Sequence, residues 1–276
     1  MKSSPAFRIV RWIALAAVLV NGFFPVVWLL LTSLKSEAEL VRTPITWLPR
    51  DPTFANFISA FRDQPLLRFV GNSAAVAMLS TLLSVSVAVL AAYVFARMHL
   101  RHRGLLLTVL VGVAMCPPAT LLTPLFEIMR GLGLLNTWLA LVLPNAVLSL
   151  PVCTLVLVSF FHTIPAEIEQ AAIIDGCSRM GALVHVVLPL SAPGIFTAAL
   201  LAFVNSWDEF LLALTLNAAP ATRTLPVGIT LYQGEFTFPW PVISAALVVA
   251  IVPLAALIVL FQERVIGGLT VGAVKG

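Results

Sequence analysis

The sequence predicts an all-α membrane protein, because its composition is strongly apolar and its apolar residues form long uninterrupted runs. Of the 276 residues, 60% are hydrophobic and 10% are charged, whereas an average soluble domain has roughly 45–50% apolar and about 25% charged residues. The runs are long enough to cross a hydrocarbon core of about 30 Å as helices. The alternation typical of membrane β-barrel strands does not occur in the sequence. This composition excludes a water-soluble enzyme.

Six segments are long and apolar enough to span a membrane. The first four contain no charged residue, and the fifth contains Asp208 and Glu209. The first segment exceeds the roughly 7–15 apolar residues of a cleaved signal peptide, so it is expected to remain as an anchor. We predict one six-helix transmembrane domain over residues 1–276, with spans at 12–31, 70–95, 105–126, 137–161, 193–216 and 242–261.

Prolines occur inside several of these spans. A proline removes a backbone donor and can kink its helix, but prolines are also more frequent in membrane helices than in soluble ones. We therefore expect irregular packing rather than hinges at these positions. The prolines are Pro25, Pro117, Pro118, Pro144, Pro151 and Pro253.

The charge distribution argues against nucleic acid as a partner and favours a membrane surface. The net charge is +4 and the basic residues are scattered along the chain, so they form no nucleic-acid-binding stripe. Lipid headgroups are the expected partner of this positive charge. If the N-terminus is inside the cell, nine basic residues lie on the cytoplasmic side and seven outside. By the positive-inside rule we predict that both termini are cytoplasmic.

Residues 162–191 are a polar stretch between the fourth and fifth spans, and their charged side chains cannot lie at the bilayer centre without a large penalty. Pro165 suits a first helical position and two glutamates follow it, so we predict a helix from Ala166 to Asp175 that ends at Gly176. Ser178 is expected to cap a second helix with one apolar face. That face consists of Met180, Leu183, Val184 and Val187, and Pro189 is expected to end it.

The residue pattern leaves two interpretations of this segment open. Two short helices joined at a glycine make a compact projection that can dock into a cleft on a soluble partner. The same helices can instead lie on lipid headgroups as an amphipathic elbow.

A motif in this segment decides between them. It runs Gln170-Ala171-Ala172, then Asp175-Gly176, then nine residues to Val186, then Leu188-Pro189. This motif resembles the EAA loop of permease subunits from binding-protein-dependent ABC importers. The family pattern is EAA, three residues, Gly, nine residues, Ile, one residue and Leu-Pro, so every spacing matches.

Further stretches extend the resemblance over essentially the whole chain. They are Asn72-Ser73, Ala91-Ala92-Tyr93, Phe95-Ala96-Arg97, Pro117-Pro118, Ile164-Pro165, Asn205-Ser206-Trp207-Asp208-Glu209-Phe210, Leu225-Pro226-Val227-Gly228 and the ending 268–276. They are similar to the carbohydrate-uptake branch, close to the second permease subunit of maltose-type systems.

The resemblance implies a type I ABC importer permease in the bacterial inner membrane, a transport subunit rather than an enzyme. The sequence has no G-x-x-x-x-G-K-[ST] string, the loop that cradles phosphates in ATPases. We therefore expect no cofactor in this chain, and ATP with Mg²⁺ in two partner ATPase subunits. A second homologous permease subunit, forming a heterodimer, and an extracytoplasmic solute-binding protein complete the expected assembly. By family analogy, ATP-driven closure of the ATPases moves the coupling loop and switches the permeases between inward-open and outward-open states, importing a sugar or oligosaccharide.

The motif also identifies the residues expected to couple this chain to the ATPase. Small alanines allow close approach and glycine permits a tight turn. Gln170 departs from the family, which has glutamate there, so it offers a basic partner residue a neutral hydrogen-bonding group in place of a carboxylate, and a weaker bond is expected. Whether Glu169, about 100° away around the helix, substitutes for it is open. The coupling residues are Glu169, Gln170, Ala171, Ala172, Asp175, Gly176, Leu188 and Pro189.

The fifth span provides a candidate substrate pathway. Asn205, Asp208 and Glu209 occur at i, i+3 and i+4, so a continuous helix would place them on one face, with Glu209 about 22 Å along from Gly194. An amide and carboxylates beside Trp207 suit the hydroxyl groups and ring of a sugar. The alternative is a helix unwound at its outer end, with these residues solvated. The candidate pathway residues are Asn205, Trp207, Asp208, Glu209 and Phe210.

Other function classes find less support in the sequence. A secondary transporter or channel component working without ATP predicts an inverted repeat, which the sequence does not show. The same importer architecture for a non-sugar solute such as glycerol 3-phosphate remains an alternative. A membrane hydrolase lacks HExxH and GxSxG strings, and three isolated cysteines predict no metal site. The glycine-rich tail at 267–276 is expected to be flexible, and in some relatives it reaches the ATPase dimer.

Overall fold

The computed structural model describes residues 5–98, 100–234 and 237–273, and within these ranges the regular structure is helical, with no β-strand. The chain divides into two compact units. The first comprises Met1–Leu67 and Gly228–Pro253, and the second comprises Arg68–Val227 and Leu254–Gly276.

The first unit begins with a long helix whose apolar side chains are exposed along most of its length, as expected of a helix that faces lipid or another subunit. A shorter second helix and an amphipathic third helix follow. The helices are α1 (Pro5–Ser33), α2 (Glu37–Leu40) and α3 (Ala55–Asp63).

Polar contacts hold the segment that follows α1. Lys35 is 1% exposed, its Nζ donates to the carbonyl oxygen of Thr46, and the same atom lies 4.9 Å from the ring centroid of Trp28. The carboxylate of Glu39 accepts from the Thr46 hydroxyl at 2.8 Å and from the Arg50 amide at 3.0 Å. The hydrogen bond from Thr46, followed by the one from Arg50, lowers the pKa of Glu39 against the opposing effect of burial.

Helix α4 runs from the first unit into the second, where most of the remaining helices lie. The helices after α3 are α4 (Leu66–Arg97), α5 (Arg103–Ala114), α6 (Pro118–Gly131), α7 (Leu139–Thr163), α8 (Ala166–Ile174), α9 (Arg179–Ala182), α10 (Leu188–Leu190), α11 (Ala192–Trp207), α12 (Leu211–Leu216), α13 (Leu225–Thr230) and α14 (Trp240–Ala273). A π-helical turn, Leu183–Val187, joins α9 to α10.

Small residues allow close helix packing in the core of the second unit. Ala92 of α4, Leu157 of α7 and Ala198 of α11 are fully buried in one apolar cluster. Gly194 of α11 lies against the ring of Phe160 in α7, so close that a Cβ built on the glycine would be 2.3 Å from the ring carbon Cγ. A residue with a side chain therefore fits here only if the ring or the helices shift.

Four of the six predicted spans correspond to single helices that are long and apolar enough to cross a membrane. They are the spans predicted at 12–31, 70–95, 137–161 and 242–261, found as Val10–Ser33, Leu66–Arg97, Leu139–Thr163 and Trp240–Leu260. That these helices cross the membrane remains a prediction.

The third predicted span, 105–126, is not one continuous helix. Helices α5 and α6 are bent by 89° at the break between them, because Pro117 is extended and Pro118 starts the next helix. This proline pair therefore interrupts the helix. Four other prolines lie inside continuous helices: Pro25, Pro144, Pro151 and Pro253.

The fifth predicted span, 193–216, is also interrupted. Helix α11 ends at Trp207, residues 208–210 are not helical, and the chain resumes as α12. At its other end α11 meets the Arg179–Leu190 segment at 80°. The second loop helix thus continues past Pro189 to Leu190, and the break lies at Ser191.

The C-terminal helix is longer than expected. Helix α14 continues to Ala273, so the described part of the tail predicted to be flexible from residue 267 is helical. Residues 274–276 lie outside the described part of the chain.

Candidate functional site

The first loop helix, α8, forms as predicted and ends in a Schellman motif. The amide of Cys177 donates to the carbonyl of Ala172 at 3.0 Å, and the amide of Gly176 donates to that of Ile173 at 3.1 Å. These bonds require a left-handed residue at the end of the helix, and Gly176 supplies it with φ +97°. The Asp175-Gly176 pair of the motif therefore fixes where the helix stops and the chain reverses.

The second loop helix is capped as predicted, but its apolar face differs. The Ser178 Oγ accepts from the Gly181 amide at 3.0 Å. Leu183 and Val187 are buried, whereas Met180 is 57% and Val184 46% exposed. The π-helical turn at Leu183–Val187 adds a residue to the helical turn, so the four residues do not share one buried face.

The tip of the loop presents small and apolar residues to the surroundings. Gln170 and Ala171 are exposed and Ala172 is half-buried. Ile174 is 85% exposed and Met180 is 57% exposed. Sequence reasoning missed Ile174 as a surface residue. The position of Ile174 directly before the Asp-Gly turn is the signal that could have identified it as exposed.

Glu169 does not face outward with its neighbours. It is 7% exposed, its Oε2 lies 2.9 Å from Arg97 Nε, and the Tyr93 hydroxyl donates to its Oε1. Its carboxylate is occupied inside this chain, so it does not take the place of Gln170 on the exposed surface. Leu188 packs against the apolar cluster between α4, α7 and α11, and Pro189 is exposed.

The break after α11 separates the residues that were predicted to share a helical face. Glu209 accepts hydrogen bonds at both carboxylate oxygens, from the Leu212 amide at 2.6 Å and the Ala213 amide at 2.9 Å. It thereby caps α12. The shared face with Asn205 does not form because α11 ends before Asp208, and the unwound alternative fits the backbone here.

A cavity of about 310 Å³ lies in the second unit beside the two helix breaks. Asn205 and Glu209 line it, whereas the other predicted pathway residues do not. Trp207 is buried and stacks on Phe203 with ring centroids 5.7 Å apart. Asp208 is exposed, and Phe210 is 39% exposed.

Two polar residues of α7 also line this cavity and were missed in the sequence. The Asn205 Nδ2 donates to Ser149 Oγ at 3.2 Å. Asn145 is 1% exposed, and its Oδ1 has no hydrogen-bond partner among the described residues. A buried polar atom of this kind calls for water or a ligand. Their i, i+4 spacing inside a mostly apolar span is the signal that could have identified them.

Helices of membrane-spanning length and two helix breaks beside a partly polar cavity are typical of membrane transport proteins. The chain belongs to the family described as binding-protein-dependent transport system inner membrane component, which matches residues 84–269.

Relatives of known role cover nearly the whole chain. The sulfoquinovosyl glycerol transport system permease protein of Agrobacterium fabrum is 64% identical over 266 residues, covering 96% of this chain and 93% of that protein. The trehalose/maltose transport system permease protein of Thermococcus litoralis is 35% identical over 280 residues, and this match covers 100% of both chains. The trehalose transport system permease protein of Mycobacterium tuberculosis is 36% identical, covering 98% and 99%.

A solved structure has the same fold. A chain from the crystal structure of a bacterial ABC transporter involved in the import of the acidic polysaccharide alginate matches with a TM-score of 0.81 and 20% identity, covering 95% of this chain and 99% of that one. The protein is thus an ABC importer permease, a membrane transport subunit and not an enzyme, and ATP hydrolysis belongs to separate subunits.

Proposed function

We propose that this chain is one of two homologous permease subunits that import a small glycoside across the bacterial inner membrane. The 64% identity to a sulfoquinovosyl glycerol permease over nearly the full length supports sulfoquinovosyl glycerol or a close glycoside as the substrate. Two ATPase subunits that bind ATP and Mg²⁺ drive the transport, and an extracytoplasmic solute-binding protein delivers the substrate. Both termini and the 162–191 loop are cytoplasmic.

The observation that best supports docking of an ATPase is that the tip of the loop is exposed. Helix α8 ends at a fixed turn, and Ala171 and Ile174 beside that turn are exposed. A small residue next to a large apolar one forms a surface that another protein can approach closely and cover. The loop segment from Gln170 to Gly176 is therefore the part of this chain that the ATPase binds.

The cavity between the helix breaks is the part of the substrate pathway that this subunit contributes. Its polar groups are amides, a hydroxyl and a carboxylate, from Asn145, Ser149, Asn205 and Glu209, and the described residues that line it include no cationic side chain. Such groups suit neutral hydroxyls, which both donate and accept hydrogen bonds. This subunit therefore contacts the hydroxyl-bearing part of the substrate rather than a sulfonate.

Changing Asn205 to alanine is expected to lower uptake about tenfold, because a lost hydrogen bond to a bound hydroxyl and an unpaired partner together cost roughly 1.5 kcal/mol. Assembly of the complex is expected to be unchanged, since Asn205 is exposed to the cavity. Initial uptake rates in proteoliposomes measure the effect. Thr215→Ala, which removes another side-chain hydrogen bond in the same unit, is the control. Normal uptake by the Asn205 variant contradicts the assignment.

Changing Gln170 to glutamate is expected to keep or strengthen coupling, because a carboxylate forms charge-assisted bonds to a basic partner residue. Gln170 is exposed, so the charge has no desolvation penalty within this chain. The measurement is ATPase activity stimulated by substrate-loaded binding protein. A lower stimulated activity than that of the wild-type complex argues against this role for position 170.

Reconstitution tests the whole proposal. Proteoliposomes containing both permeases and the ATPase subunits, with binding protein outside and ATP inside, are expected to accumulate sulfoquinovosyl glycerol. Omitting the ATPase subunits should abolish accumulation. Accumulation without them overturns the ATP-driven mechanism in favour of a secondary transporter, and accumulation of trehalose alone overturns the substrate assignment.

A further inference from the structure

Three side chains join the end of helix α4 to the coupling helix α8, and we call them the α4–α8 latch: Tyr93, Arg97 and Glu169. Tyr93 and Arg97 lie at i and i+4 in the last turns of α4, so they project from the same face. The Arg97 and Glu169 side chains are 11% and 10% exposed, and Nε lies 2.9 Å from Oε2. The Tyr93 hydroxyl donates to the other carboxylate oxygen.

The latch holds more of the loop than α8 alone. Arg97 Nη2 donates to the carbonyl oxygen of Ile164 at 2.9 Å, at the end of α7. The Tyr93 hydroxyl also lies 3.3 Å from the carbonyl oxygen of Arg179, at the start of α9. Two side chains of one helix therefore fix the segment before α8, α8 itself and the segment after it.

Burial makes this arrangement unfavourable to break. A buried ion pair whose partner is removed leaves an uncompensated charge, and such a loss is strongly destabilising. When a force moves α8, the low-energy response is for the end of α4 to move with it. Hydrogen-bonded and ion-paired connections between rigid helices are one of the ways in which coupling passes through a protein.

The other end of α4 makes a second set of polar contacts within the same unit. Asn72 Nδ2 donates to the carbonyl oxygens of Ala221 and Arg223 at 2.9 and 2.8 Å, and the Leu225 amide donates to Ser73 Oγ at 2.8 Å. Asn72 and Tyr93 are 21 residues apart in one helix, a distance of about 32 Å. Helix α4 is therefore bonded to the coupling loop at one end and to the 221–225 segment at the other.

We infer that Tyr93, Arg97 and Glu169 are positioning residues that transmit the movement of α8 through helix α4 to the 221–225 segment. This inference rests on the proposed docking of an ATPase at α8. The latch acts after docking, so its loss changes how much transport each hydrolysed ATP produces rather than whether the ATPase binds.

The test uses the complete reconstituted complex and the ratio of substrate transported to ATP hydrolysed. The double variant Arg97→Gln/Glu169→Gln removes both charges together and so leaves no unpaired buried ion. It is expected to co-purify with the ATPase subunits. The amount of substrate transported per ATP hydrolysed is expected to fall by a factor of at least about five. Glu127→Gln, which breaks the exposed ion pair of Glu127 with Arg130, is the control and should stay within about twofold of wild type.

Tyr93→Phe provides a second test if the double variant does not assemble, because this substitution removes only one hydroxyl group. It is expected to lower the transport ratio about twofold to threefold, by the loss of one hydrogen bond. A wild-type ratio in an assembled double variant, or in Tyr93→Phe when the double variant does not assemble, overturns the inference. Failure of the proposed function is distinguishable, since the wild-type complex then shows neither ATPase co-purification nor ATP-driven transport.

Discussion

Replacing Ala171 with leucine is expected to lower ATP-driven uptake by at least about tenfold, a loss of roughly 1.4 kcal/mol or more of docking free energy. Ala171 is exposed on α8 beside the fixed turn at Gly176. Leucine is nearly as good a helix former as alanine, so α8 should form as before while the added side chain keeps the ATPase from approaching closely. Uptake in proteoliposomes and the yield of ATPase subunits that co-purify with the permeases measure the effect.

Ala166→Leu is the matched control for this variant. Ala166 is exposed at the start of the same helix, five residues earlier and so about 140° away around the helix axis. We expect this control to retain uptake within about twofold of wild type. If both variants transport normally, the loop tip is not the docking surface; if both fail equally, the effect reflects α8 as a whole.

Replacing Gly194 with alanine is expected to destabilise the chain by about 1–3 kcal/mol, the range for overpacking a close contact. A Cβ at this position would lie 2.3 Å from Phe160 Cγ, so α11 and α7 must separate or the ring must turn. The temperature of unfolding of the purified chain in detergent is expected to fall by several degrees.

Gly112→Ala is the matched control, and the opposite sign is expected for it. A Cβ at Gly112 meets no atom within 4 Å, and alanine forms helices better than glycine by about 1 kcal/mol. In a chain that already carries Phe160→Ala, Gly194→Ala should lower the free energy of unfolding by less than it does in the wild-type chain. The reason is that the ring that blocks the new methyl group is absent. Equal unfolding temperatures for the Gly194 and Gly112 variants would contradict the close-contact account.

The parts of the coupling loop that the sequence predicted correctly are set by local chemistry. The start of α8 after Pro165, its end at Gly176 and the cap at Ser178 each depend on residues within one helical turn. The composition and run lengths likewise predicted an all-helical membrane protein. These features need no knowledge of which distant segments come together.

The features that could not be predicted depend on contacts between distant segments. Glu169 and Gln170 are both polar residues on a nine-residue helix, and no periodicity indicates which of them turns inward to Arg97. The spacing of Asn145 and Ser149 places them on one helical face, but it does not indicate that this face lines a cavity with Asn205 of α11. Prolines in membrane spans are common, so the sequence did not distinguish the break at Pro117 from the continuous helix at Pro151.

The central claim is that an ATPase subunit binds α8 in the cytoplasm. Cysteine cross-linking is the most direct test of this claim. In a chain whose Cys116, Cys153 and Cys177 are replaced, a cysteine at Ala171 is expected to cross-link to an ATPase subunit and to block transport when it does. It should react with a membrane-impermeant maleimide only in inverted vesicles, whereas a cysteine at the exposed Val41 should react in intact cells. Labelling of position 171 from outside intact cells, with no cross-link to an ATPase subunit, would contradict the account.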